Sequence, residues 1–278
     1  MALDAVLASV REVTGRVFHP REVVVRERDH AWVVELGVEM VAFVAKDSES
    51  RARLARTRRV LARIGPRLSF EVPRPVGPID RVVPCDLRTR TGGATGTRFR
   101  DRILGDQTHA EKVGIWVAKT LAELHGALAN LELDALGLGP PGWPPAGSRL
   151  AACAAFGDDP AAARAVCTRW DALLATRGRD DVLLHGDFDL HNLAFDEQTL
   201  LPVSVFDFHE AGRGPRALDL GALPSWGSRV LDRVVAAYPV DVELVRLAHA
   251  ARAIASLGPG VAEDRRVWAR DAVAAVTF

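Results

Sequence analysis

Lysine is almost missing from this chain. Only three of its 36 basic residues are lysine, namely Lys46, Lys112 and Lys119, and Lys46 stands alone in the first hundred positions. Cysteine is as scarce. Cys85, Cys153 and Cys167 show neither metal-ligand nor disulfide spacing, which excludes a disulfide framework and leads us to expect reduced thiols in a cytoplasm. No apolar run approaches the length that spans a bilayer. The start, Met1-Ala2-Leu3-Asp4, lacks the basic and apolar regions of a signal peptide, so no membrane partner is expected. Internal repeats, low-complexity tracts and nucleic-acid motifs are also lacking. What remains, 48% hydrophobic and 26% charged over 278 residues, is the composition of a folded protein with room for two lobes.

The chain is organised around His185-Gly186-Asp187-Phe188-Asp189-Leu190-His191-Asn192. Apolar runs flank this stretch, Val182-Leu183-Leu184 before it and Leu193-Ala194-Phe195 after it. A second run, Val203-Ser204-Val205-Phe206, ends at Asp207. Residues 193–206 read as a β-hairpin, which brings its ends together and sets Asn192 beside Asp207, with Asp187 on the loop before them. An amide oxygen and a carboxylate so placed suit a hard cation such as Mg²⁺. The second carboxylate can orient a hydroxyl and accept its proton.

His185-Gly186-Asp187 with Asn192, then Val205-Phe206-Asp207, then Gly214-Pro215 with Asp219-Leu220, resembles the aminoglycoside phosphotransferase and choline kinase superfamily. All three pieces stand in family order and spacing. The resemblance implies an α+β, bilobal protein-kinase-like fold: a small antiparallel-sheet lobe at residues 1–91, a hinge at 92–97 and a larger, mainly helical lobe at 98–278. It implies an ATP- or GTP-dependent small-molecule O-phosphotransferase, with Asp187 as catalytic base and Asn192 and Asp207 as Mg²⁺ ligands. His185 and Asp219 orient the loop. Lys46, ending the run Val41-Ala42-Phe43-Val44-Ala45, is similar to the phosphate-binding strand lysine of kinases. Thr89, Arg90 and Thr91, before the glycine-rich stretch Gly92-Gly93-Ala94-Thr95-Gly96, are expected to hold the purine. The acceptor is expected to be cationic, an aminoglycoside or a related antibiotic of the viomycin type, met by Asp189, Glu210 and the Phe278 carboxylate. Charge fits loosely: residues 1–100 carry 19 basic and 12 acidic residues, residues 180–278 carry 9 and 15.

Two departures stand out. The helix expected over 49–64 is rich in arginine, with Thr57 where kinases place a glutamate partner for the strand lysine. No glycine-rich loop joins the first two strands, where Glu27-Arg28-Asp29-His30 stands instead. Strands are expected over 22–28, 31–36, 39–45 and 81–88. Further helices are expected at 3–14, from the capping pattern Thr108-His109-Ala110-Glu111, from Asp159-Pro160, and over 230–237, 242–257 and 261–276. His125 reads as a satisfied core histidine, and the proline-rich loop 137–147 as a surface segment near the acceptor. Other readings stay open: a metabolite kinase for choline- or homoserine-like acceptors, a kinase-like binding protein without catalysis, and a metallohydrolase using His185, Asp187 and His191.

Overall fold

Period-two alternation builds the first layer. In a computed structural model describing residues 3–28, 30–77, 85–141, 152–153, 156, 160–175, 181–257 and 261–276, helix α1 (Leu3–Thr14) lies against three hairpin-linked strands. These are β1 (Val23–Glu27), β2 (Ala31–Leu36) and β3 (Met40–Ala45), and β4 (Cys85–Thr89) completes an antiparallel sheet in the order β1-β2-β3-β4. Val34, Leu36, Ala42 and Val44 turn one way and bury against Val6 and Val10 of α1. Their neighbours Val33, Glu35, Val41 and Phe43 turn the other way and wall a cleft.

Helix α2 (Ser48–Ile64) starts where the Asp47 side chain accepts a hydrogen bond from Ser50 N at 2.7 Å. Its buried positions Leu54, Thr57, Leu61 and Ile64 follow helical spacing. Val60, Leu61 and Ile64 belong not to the sheet's core but to the large core of the second half.

That second half is mainly helical. Its helices are α3 (Arg100–Gly105), α4 (Gln107–Gly126), α5 (Asn130–Ala135), α6 (Pro160–Ala175), α7 (Ser228–Ala237), α8 (Val242–Ala255) and α9 (Glu263–Ala274). Val113, Val117, Leu121 and Leu124 form the stripe of α4 and are fully buried. The start of α4 differs from expectation: Asp106, not Thr108, is the N-cap, its carboxylate accepting from His109 N at 2.7 Å. A carboxylate caps as well as a hydroxyl and also favours the positive end of the helix dipole. Among the described residues, the fold is α+β, an antiparallel sheet followed by a mostly helical part.

The hairpin forms as expected, from β7 (Leu193–Phe195) and β8 (Pro202–Val205), with Leu193 opposite Val205. Before it, β6 (Val182–Leu184) pairs with β9 (Gly212–Gly214). The glycine-rich stretch is not a loose linker. Ala94–Thr95 forms β5, a third strand on the hairpin, with Ala94 opposite Phe195. Its glycines allow close approach rather than flexibility. A Cβ on Gly96 would meet the Phe195 ring at 2.5 Å and Leu190 O at 2.8 Å, whereas one on Gly92 would meet nothing nearer than 3.8 Å. The strand expected over 81–88 is described only from Cys85, and most of loop 137–147, with Asp159, lies outside the described residues.

These contacts separate packing from flexibility. Gly96→Ala should destabilise the protein by about 1–3 kcal/mol in urea unfolding, and Gly92→Ala by less than about 0.5 kcal/mol. Equal, small losses would mean that the stretch is a linker after all.

Candidate active site

A buried carboxylate sets the central loop. Asp219 accepts from His185 N at 2.7 Å and Gly186 N at 2.8 Å, and His125 Nε2 donates to it at 3.0 Å. Burial works to raise its pKa, but these donors and the nearby histidine charges outweigh burial and hold it below the ordinary carboxylate value. Nδ1 of His125 in turn shares a 2.5 Å hydrogen bond with the Tyr238 hydroxyl. Gly186 has φ +86°, and a Cβ there would lie 2.0 Å from Glu210 O, so no other residue fits this turn.

His185 is buried and fully engaged. Its Nδ1 accepts from Asp187 N at 3.2 Å and its Nε2 donates to Phe206 O at 2.8 Å. Both ring nitrogens are used, so the ligand trio required for a metallohydrolase is not formed. Among the described residues, no three His, Cys, Asp or Glu side chains cluster as a metal site.

Asp187 emerges from this loop into a ring of donors. Arg252 Nη2, from α8, reaches its Oδ1 at 2.9 Å. His191 Nε2 reaches Oδ2 at 3.1 Å, and Asn192 Nδ2 reaches the same oxygen at 3.0 Å. Burial pushes the carboxyl up, but His191 and Arg252 outweigh it and hold it well below the usual range. The same bond raises His191 above its ordinary value. Asp189 is tied beside it, accepting from Leu190 N at 2.6 Å and Trp226 Nε1 at 3.0 Å.

The hairpin brings Asp207 to this loop. Phe206 N donates to Asn192 O at 3.0 Å, so Asn192 and Asp207 stand at adjoining chain ends. Asp207 sits in the left-handed region at φ +65°, a conformation Asp tolerates better than most residues. Burial raises its pKa, but His209, bonded to it through Nδ1, turns the net shift downward, while the charge of Asp187 opposes that. The Asp207 carboxylate and the Asn192 side-chain amide oxygen are hard donors of the kind that fits a divalent cation such as Mg²⁺.

The other expected site residues divide. Thr89, Arg90 and Thr91 line the cleft between the sheet and the hairpin, together with Asp207. Two of their backbone donors are already used, Thr89 N on Arg74 O at 2.8 Å and Arg90 N on Glu39 O at 2.7 Å. Lys46 does not join the cleft wall. It lies one residue past β3, in phase with Ala42 and Val44, pairs with Glu27 of β1 at 2.8 Å and stands over the Trp32 ring. A single-residue offset along a strand reverses the face, and the central cleft-facing position of β3 is Phe43. Thr57 Oγ1 bonds within α2 to Arg53 O and, at 3.4 Å, to Phe208 O. Glu210 faces α2, accepting from Arg53 Nη1 at 2.6 Å, and does not line the recess of Asp189 and His191. Phe278 lies outside the described residues.

Opposite the cleft, a second recess reaches the same loop. Asp189 and His191 meet Trp226, Trp268, Arg100 and Arg265 there. Arg252 and Trp268 carry no local motif, since only tertiary packing brings α8 and α9 to the loop, and Trp226 reaches it from the turn Leu223–Trp226.

Known proteins share this fold. The model of the phosphotransferase enzyme family matches residues 20–255. No curated protein sequence matches the chain at a significant level. Among solved structures, the GDP and kanamycin complex of APH(2")-IIia superposes with TM-score 0.69 at 15% identity, over 96% of this chain and 95% of that one. The macrolide 2'-phosphotransferase MphH from Brachybacterium faecium gives 0.61 at 19% identity, over 99% and 97%. The aminoglycoside phosphotransferase APH(3'')-Id from Streptomyces rimosus gives 0.63 at 16%, over 93% and 100%. Hairpin, loop and buried carboxylate thus stand within a sequence match that spans most of the chain, and the chain belongs to the phosphotransferase enzyme family.

Proposed function

We propose that this phosphotransferase moves the γ-phosphate of ATP or GTP to a hydroxyl of a small antibiotic. One observation carries the reading: Asp187, Asn192 and Asp207 meet where the loop joins the hairpin, Asp207 lining the cleft under the sheet and the loop's Asp189 and His191 lining a second recess. The nucleotide belongs in the first and the acceptor in the second, with residues 1–91 forming the nucleotide side, 92–97 the hinge and 98–278 the acceptor side.

Asp187 then orients the acceptor hydroxyl. A carboxylate held so low keeps its charge throughout the working pH range. It takes the proton as the acceptor oxygen bonds to the γ-phosphorus and the bridge to the β-phosphate breaks, releasing the nucleoside diphosphate. Asn192 and Asp207 are the residues to hold Mg²⁺, which neutralises phosphate charge when bound. His185 and Asp219 fix the loop. With Thr89 N and Arg90 N already used, purine contacts from the hinge fall to carbonyl groups and to Thr91.

The expected acceptor is an aminoglycoside or another cationic antibiotic, with Asp189 on its path. The recess itself favours a second reading. Its described wall sets Arg100 and Arg265 against Asp189 and Asp264, with Trp268 beside them. That balance of charges suits an acceptor with little net charge better than a polycation. A panel of aminoglycosides, tuberactinomycin-type peptides and macrolides, scored by mass for added phosphate, separates the two.

Calorimetric titration with Mg-ATP and Mg-GTP should show magnesium-dependent binding, weakened at least tenfold in Asp207→Ala. Absence of binding to either nucleotide would favour a non-catalytic protein. Asp187→Asn should lower kcat by about 10²- to 10⁴-fold while nucleotide binding stays within about twofold. Retained turnover would remove the assigned role.

His191 carries a pH signature. Its folded pKa is raised, so its ion pair with Asp187 stabilises fully below the unfolded value of about 6.5 and is lost as pH rises through the folded value. The stability gap between the wild type and His191→Gln in urea should therefore be widest near pH 5.5 and close toward pH 9. A gap that grows with pH would contradict the pairing.

A further inference from the structure

The cleft wall has a buried arginine on β4, and the lysine expected from β3 is not part of it. Arg88 of β4 is only 1% exposed yet lines the cleft that holds Asp207. Its register partner on β3 is Val41, but its guanidinium reaches toward the next pair, Phe43 and Asp86. There Nε donates to Asp86 Oδ2 at 2.7 Å, and the guanidinium carbon stands 4.5 Å from the centre of the Phe43 ring. Phe43 in turn packs edge-on against His209, whose Nδ1 bonds Asp207. The charge thus points away from the hinge residues and toward the metal end of the cleft.

The support behind it is buried and ionic. Asp86 is fully buried, and Arg58 of α2 reaches its other oxygen at 3.0 Å. Arg58, Asp86 and Arg88 therefore link α2 to the cleft, carrying two positive charges against one negative. Arg88 Nη2 lies 2.6 Å from the same Asp86 oxygen that Nε uses, an ion pair too poorly aligned for a hydrogen bond, and among the described residues it has no hydrogen-bond partner. One buried carboxylate is shared by two guanidinium groups, so the cluster keeps a net positive charge that an anion in the cleft would balance. Lys46 is paired elsewhere, with Glu27.

We propose that Arg88 supplies the cationic contact to the nucleotide phosphates, and that Asp86 and Arg58 hold it there, in place of a strand lysine and a helix glutamate. This rests on the kinase reading above. A planar fork that gives one donor to Asp86 keeps further donors for phosphate oxygens, and stacking on Phe43 fixes its plane. The sequence Asp86-Leu87-Arg88 places both charges on one strand face, two residues apart.

Calorimetry on the full chain tests this with Mg-ATP, Mg-GTP, adenosine and guanosine. Arg88→Met should weaken triphosphate binding about 10- to 100-fold and leave nucleoside binding within about twofold. Lys46→Met should change neither by more than about twofold. Arg88→Lys, which keeps the charge but not the fork, should fall between wild type and Arg88→Met for triphosphates alone, and it carries the test if Arg88→Met does not fold. Unchanged triphosphate binding in the arginine variants overturns the proposal. So does equal loss of nucleoside and triphosphate, which marks a purely structural arginine, or a loss that follows Lys46. A wild-type chain that binds neither triphosphate removes the kinase reading as a whole, and this assignment with it.

Discussion

The Asp219 carboxylate is the constraint on which the central loop depends. Three donors converge on it, the amides of His185 and Gly186 and the imidazole of His125, and both histidines are buried with it. Only an ionised carboxylate can satisfy three donors at once, because an amide would turn two N–H groups toward them. Through His125 and Tyr238 the same carboxylate reaches α4 and the end of α7. One charge therefore fixes the loop's direction, and Gly186 supplies the backbone turn that lets two successive amides point at it.

The sheet and the helical part are held together by more than the chain that runs from β4 to β5. Glu71 pairs with Ser204 of the hairpin and its side chain accepts from Gly92 N at 3.2 Å. The last turns of α2 bury in the helical core, and Arg53 of the same helix holds Glu210. The hairpin that carries Asp207 is consequently clasped from the first half of the chain at several places.

Local chemistry was legible and tertiary chemistry was not. The hairpin ends, the loop aspartates and most helices could be read because each depends on neighbours within a few residues, such as apolar runs and caps. Asp187, Asn192 and Asp207 stand together because hairpin geometry requires it. The lysine was misplaced because its reading rested on resemblance at a strand end, where one residue decides the face. Glu210 was assigned by charge alone, and charge does not show that Arg53 lies opposite. Arg252 could not be found from spacing at all, since α8 is more than forty residues beyond the loop it serves. Arg88 left a faint trace in Asp86-Leu87-Arg88, two charged residues two positions apart in a strand, both of which are buried.

Counting lone pairs on Asp187 adds a directional rule. A carboxylate offers about four acceptor positions, two on each oxygen. His191 and Asn192 fill both on Oδ2, and Arg252 takes one on Oδ1. Among the described residues one position is left, on the oxygen beside Arg252, so a further donor to this carboxylate meets Oδ1 rather than Oδ2.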